Sequence, residues 1–224
     1  MTEHLTTWTP TEKHPCTYSP EVLAVFARLI PRGTRIHDSY AGTGKKLGSL
    51  ADEMDWTFSG TDLQTWPEGM DPRLVLGNAT DTSTYPTEPY WQVTSPTYGN
   101  RNGGDYSRGP TPRTRLKGRR SYTLALGGLL HPENTARWTI ARDAERYWAS
   151  HAAAVSCWSG AVATLVNVDL PIVRGWEQLL IEAGFRITEV IPVYTQRHGG
   201  LANADVRPDH EVVIVATKEG RITP

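Results

Sequence analysis

The sequence predicts an α/β fold: a doubly wound, mostly parallel sheet of seven strands that ends in an antiparallel hairpin. Two observations carry that prediction. Short apolar, β-branched runs alternate with helical stretches or loops along most of the chain. The last two apolar runs lie close together, which suits a hairpin.

The elements follow in order. Residues 1–13 are polar and read as a flexible arm. Ser19-Pro20-Glu21 opens a helix, with Ser as N-cap and Pro at the first helical position. Val22, Leu23, Phe26, Leu29 and Ile30 give that helix its apolar stripe, and Pro31-Arg32-Gly33 stops it. Strands are expected near 34–38, 57–62, 73–76, 91–95, 161–168, 185–196 and 210–217. Further helices are expected near 45–54, 133–152 and 173–183, the last closed by Gly184. One domain over 14–217 follows, with a basic insertion at 99–132 and a tail at 218–224.

Composition narrows the function classes. The chain has 224 residues with 23 basic and 24 acidic side chains, so net charge alone points to no polyanionic partner. Distribution says more. Arg101, Arg108, Arg113, Arg115, Lys117, Arg119 and Arg120 face only Asp105 within one stretch of 20 residues. Taken alone, such a run is a solvated loop. Cys16 and Cys157 form neither a disulfide framework nor a metal spacing, and the seven histidines show no short-spaced cluster, so no metal is expected. No apolar run approaches a membrane span, and the N-terminus has no apolar signal region. A cytoplasmic protein with no membrane partner is the expectation.

Four successive strand ends carry the chemistry. Asp38-Ser39-Tyr40-Ala41-Gly42-Thr43-Gly44 is a glycine-rich turn between a strand and a helix, where Gly42 and Gly44 permit a tight turn and close approach of a ligand. A phosphate-binding P-loop is excluded, because Gly44-Lys45 is followed by Lys46 and position 39 is Ser. The spacing of Gly42, Gly44 and Gly48 also departs from the dinucleotide fingerprint. Asp38 would repel a pyrophosphate and attract a cationic amino group. Asp62 ends the next strand, where a carboxylate can accept two ribose hydroxyls. Asn78-Ala79 follows the third strand, where a polar group can read an adenine edge. Each of these residues is equally at home in an ordinary turn. The second chemical loop, Thr94-Ser95-Pro96-Thr97-Tyr98, follows the fourth strand.

Together the two loops resemble the amino-methyltransferases of DNA, within the class I S-adenosylmethionine-dependent superfamily. The turn at 38–44 is similar to the family's Asp-Pro-Phe-x-Gly-x-Gly cofactor motif, and Ser95-Pro96-Thr97-Tyr98 resembles its (Asn/Asp/Ser)-Pro-Pro-(Tyr/Phe/Trp) catalytic motif. The segment 13–20, which includes Thr17 and Tyr18, is similar to the stretch that packs over the cofactor. The resemblance covers about 13–217 and implies a Rossmann-like methyltransferase fold with S-adenosylmethionine as cofactor. It implies cofactor contacts from Thr17, Tyr18, Asp38, Tyr40, Gly42, Gly44, Asp62, Leu63, Asn78 and Ala79. Catalysis would fall to Ser95, Pro96 and Tyr98: Ser95 Oγ and the Pro96 carbonyl accept the two hydrogens of an exocyclic amine, and Tyr98 stacks on a flipped base. Thr97 stands where the family's catalytic motif has its second proline, and Ser39 where its cofactor motif has the proline after the Asp.

The basic stretch directly follows this loop, so phosphate contact by its seven cations becomes the expectation, with double-stranded DNA as partner. Cytosine N4 and adenine N6 both remain open as targets. The same loop suits RNA or a protein amide, and a non-catalytic cofactor- or DNA-binding module is the competing class. Pro15-Cys16 precedes the cofactor turn and has no strand before it, which argues against a C5-cytosine nucleophile.

Overall fold

A computed structural model describes residues 18–66, 68–96, 133–135, 140–195 and 209–218. They form one seven-stranded sheet in the order β3-β2-β1-β4-β5-β7-β6. The strands are β1 (Arg35–Asp38), β2 (Thr57–Asp62), β3 (Leu74–Leu76), β4 (Tyr90–Thr94), β5 (Ala161–Asp169), β6 (Phe185–Thr195) and β7 (Asp209–Lys218). The first five pair in parallel, while β7 runs antiparallel to both β5 and β6. This is the doubly wound, Rossmann-like sheet with an antiparallel hairpin that the sequence predicts.

Among the described residues four α-helices cover it: α1 (Pro20–Leu29), α2 (Lys45–Glu53), α3 (Ile140–Ser156) and α4 (Val173–Glu182). Ser19 caps α1 as expected, its Oγ accepting from the Val22 amide at 3.2 Å. The helix expected over 133–152 differs: α3 begins at Ile140, runs on to Ser156 and bends at Asp143, whereas Glu133 lies in a turn. Pro132 favours a helix start in the sequence, but the described buried residues of α3, Tyr147, His151, Ala154 and Val155, all lie beyond the bend. Strand β7 also reaches Lys218, one residue into the expected tail.

Alternation along the central strands gives each face its own core. Leu165, Val213 and Val215 join Ile36, Phe58 and Val93 beneath α1 and α2. On the opposite face, Val166, Val168, Val212 and Ile214 pack with Trp158, Trp176 and Leu180 beneath α3 and α4. Parallel strands buried on both sides read as continuous apolar runs, which is why they were legible from sequence.

The sheet order sets where a ligand can sit. The chain builds outward from β1 to β2 and β3, then returns to β4 on the other side of β1. Loops leaving β1 and β4 therefore diverge at their carboxyl ends and open a crevice there. Among the described residues, no helix is long and apolar enough to cross a membrane.

Candidate active site

The glycine turn leaves β1 and the Ser95-Pro96 loop leaves β4, so both border that crevice. They are latched together. Thr94 Oγ1 donates to Asp38 Oδ1 at 2.9 Å, joining the last residues of the two strands. Tyr18 donates its hydroxyl to Asp38 Oδ2 at 2.9 Å, and the Tyr40 amide donates to Oδ1 at 2.9 Å. Asp38 is 1% exposed. Burial pushes its carboxyl up to about 6, against the lowering effect of the Tyr40 amide and the Tyr18 and Thr94 hydroxyls.

The turn has the backbone that its glycines predict. Gly42 and Gly44 adopt φ of 56° and 66°, the left-handed region, and Gly44 caps α2. A Cβ on Gly44 would sit 2.6 Å from Leu74 Cδ1, so side-chain space and backbone both demand glycine. Asp62 holds the turn from beside it: Oδ2 accepts from the Gly42 amide at 2.8 Å and Oδ1 from the Gln64 amide at 3.2 Å. Burial raises the Asp62 carboxyl to about 7, and the charge of Asp38 adds to the rise. Asp38, buried, and Asp62, half-buried, thus face one crevice, each costly to ionise. An incoming cation would offset that cost at Asp38, and hydroxyl donors would do so at Asp62. The two acceptors suit the ammonium and ribose hydroxyls of S-adenosylmethionine.

The remaining expected cofactor residues are arranged as follows. Leu63 is half-buried in the bend after β2. Ala79 is buried, and its carbonyl accepts from Tyr85 Oη at 2.6 Å. Asn78 folds back on its own turn: Oδ1 accepts from the Thr80 amide at 3.0 Å and Nδ2 donates to Glu133 Oε2 at 2.8 Å. Glu133 comes from beyond the basic segment, so Asn78 links the third strand end to that connection. The Tyr40 hydroxyl lies 2.9 Å from His151 Nδ1 on α3. Burial holds His151 at about 3, so the ring is neutral and one of its nitrogens bears a proton.

In the second loop, Pro96 is buried and Ser95 half-buried. Asn167 Nδ2, at the end of β5, donates to Ser95 Oγ at 3.4 Å. Thr17, Tyr98, Arg101, Arg108, Arg113, Arg115, Lys117, Arg119 and Arg120 lie outside the described residues, as do the arm at 1–13 and the insertion at 99–132. Among the described residues, no group of three or more His, Cys, Asp or Glu side chains is placed to hold a metal ion.

Sequence reasoning missed Thr94 and His151. No local signal pairs position 94 with 38, or 151 with 40; both contacts follow only from the sheet order and from the placement of α3.

No protein-family model matches the chain, and no curated protein matches it. Solved structures are similar at low identity. A proposed RNA methyltransferase from Pyrococcus horikoshii has 10% identity and a TM-score of 0.49, over 88% of this chain and 80% of that one. TrmK from M. capricolum, in complex with S-adenosylhomocysteine, has 9% identity and a TM-score of 0.47, over 92% and 70%. The 1,6-didemethyltoxoflavin-N1-methyltransferase of Burkholderia thailandensis, with S-adenosylhomocysteine bound, has 13% identity and a TM-score of 0.46, over 89% and 79%. What those proteins bind and methylate belongs to them; the reading of this chain rests on its own residues.

Proposed function

We propose that this protein is an S-adenosylmethionine-dependent methyltransferase acting on the exocyclic amine of a nucleic-acid base, with cytosine N4 or adenine N6 of DNA as the target. The observation that carries the reading is the Asp38–Thr94 latch, which sets the glycine turn and the Ser95-Pro96 loop side by side at the crevice. When bound, the cofactor supplies a sulfonium-activated methyl group that a nitrogen lone pair displaces in line, the carbon–sulfur electron pair staying on sulfur.

The chain's residues bind, align and accept. Asp38 takes the ammonium and Asp62 the ribose hydroxyls, while Gly42 and Gly44 keep the turn clear of side chains. An exocyclic amine is a poor nucleophile because its lone pair is delocalised into the ring. Ser95 Oγ and the Pro96 carbonyl accept its two hydrogens, favouring pyramidal nitrogen and freeing the lone pair. One of those protons leaves to solvent as the new nitrogen–carbon bond forms. Tyr98 supplies a stacking face for a base turned out of its helix. No covalent enzyme intermediate is needed, and most of the rate comes from alignment.

The test is methyl transfer from radiolabelled S-adenosylmethionine to unmodified duplex DNA, with RNA and protein extract in parallel, followed by nucleoside mass spectrometry. Label as N4-methylcytosine or N6-methyladenine in DNA is the expected result. Label only in RNA or protein moves the substrate, and cofactor binding without transfer makes the chain a non-catalytic module. Tyr98→Ala should cut transfer at least a hundredfold while cofactor affinity stays within about threefold. Parallel loss of both removes the stacking role.

A further inference from the structure

The carboxyl edge of the sheet does not end at Ser95. The next strand, β5, presents Asn167 there, and β7 presents Glu211 diagonally across from it, with Asn167 opposite Val213 and Asp169 opposite Glu211. Asn167 is 2% exposed. Its Nδ2 donates to Ser95 Oγ at 3.4 Å and to Glu211 Oε2 at 3.4 Å.

Chemistry fixes which way this amide points. An ionised carboxylate only accepts, so Glu211 selects the NH2 end of Asn167 and turns its carbonyl away. Each amide hydrogen then has its own target, one on Glu211 and one on Ser95. Serine alone has three rotamers and a freely turning hydroxyl. A buried donor on a rigid strand restricts that freedom and occupies one of the two acceptor sites of Oγ. A substrate N–H would meet the same oxygen.

Resting on the function proposed above, we infer that Asn167, aimed by Glu211, is a positioning residue for Ser95. It holds the serine oxygen in the orientation that accepts a hydrogen from the substrate amine. Neither residue touches the methyl group. The Ser95 hydroxyl is thereby tied to two further strands of the sheet, which accounts for a buried asparagine near the carboxyl end of β5.

A double-mutant cycle separates this role from a structural one. Single-turnover methyl transfer to unmodified duplex DNA would be measured for wild type, Asn167→Ala, Ser95→Ala and the double variant, with cofactor affinity measured in each. Asn167→Ala should slow transfer roughly tenfold to a hundredfold and leave cofactor affinity within about threefold. In the Ser95→Ala background, removing Asn167 should cost less than about threefold more, because its target is already gone. Losses that multiply in full, or a wild-type rate in Asn167→Ala, overturn the inference and leave the proposed function standing. A wild-type protein that transfers no methyl to any base amine overturns both. If Asn167→Ala does not fold, Glu211→Ala takes its place in the cycle. It should give a smaller loss that likewise vanishes without Ser95.

Discussion

Asp38 and Asp62 give the site a pH dependence whose sign follows from burial. Both keep their protons in the folded chain until about 6 and about 7, whereas an unfolded aspartate releases its proton near 3.8. The stability they contribute is therefore fully present below 3.8 and lost as pH rises through 6 and 7. His37, held near 4, and His151, held near 3, act the other way: the unfolded chain takes up protons below 6.5 while the folded chain does not. These opposing pairs flatten the stability of the unliganded protein between about 4 and 6. A cation beside Asp38 binds only the ionised form. S-adenosylmethionine affinity should accordingly rise from pH 5 to pH 7, by up to about tenfold per unit for one linked proton. Calorimetry in two buffers of different ionisation enthalpy should show a proton released on binding near pH 5.5. A flat affinity with no proton release would remove Asp38 from contact with the cofactor.

The strands make the crevice, and the latch between β1 and β4 makes it one site. Thr94→Val keeps the shape of the side chain and removes one donor from a buried carboxylate. Hydrogen bonds to charged groups are worth about 1.5–3 kcal/mol, so cofactor affinity should fall roughly tenfold or more. The pH at which affinity rises should also move upward, since Asp38 becomes harder to ionise. An unchanged curve would mean that the latch carries no weight. The strands themselves were legible because parallel strands buried on two faces are written as apolar, β-branched runs, as in Ala161–Asp169. Gly42 and Gly44 were legible because left-handed backbone selects glycine. Thr94, His151 and the aim of Asn167 were hidden for a common reason. Each acts through a residue tens of positions away, and those distances close only once the strand order is set. The start of α3 was misplaced because Pro132 signals a helix opening locally, whereas helices in proteins are held mainly by the face they bury.

At the scale of the molecule, charge separates the two halves of the proposed task. The chain carries 23 basic and 24 acidic residues, so no global field draws it to nucleic acid. Seven cations nevertheless lie between 101 and 120. Chain connectivity ties that stretch to the reactive edge, for it departs from Pro96 and returns by Glu133, which holds Asn78. A methyltransferase for a base must grip a backbone while leaving its cofactor pocket acidic, and cations confined to one segment of the sequence, apart from Asp38 and Asp62, meet both needs. Binding to duplex DNA should then depend on salt through this segment alone. Replacing Arg119 and Arg120 with Ala should weaken DNA binding and reduce the slope of log affinity against log salt concentration by about 2, near 0.9 per lost phosphate contact. Cofactor affinity should not change, because Asp38 and Asp62 keep their partners. An unchanged salt slope would leave the stretch a solvated connection, and the grip on the polyanion would have to come from elsewhere on a surface whose charges balance.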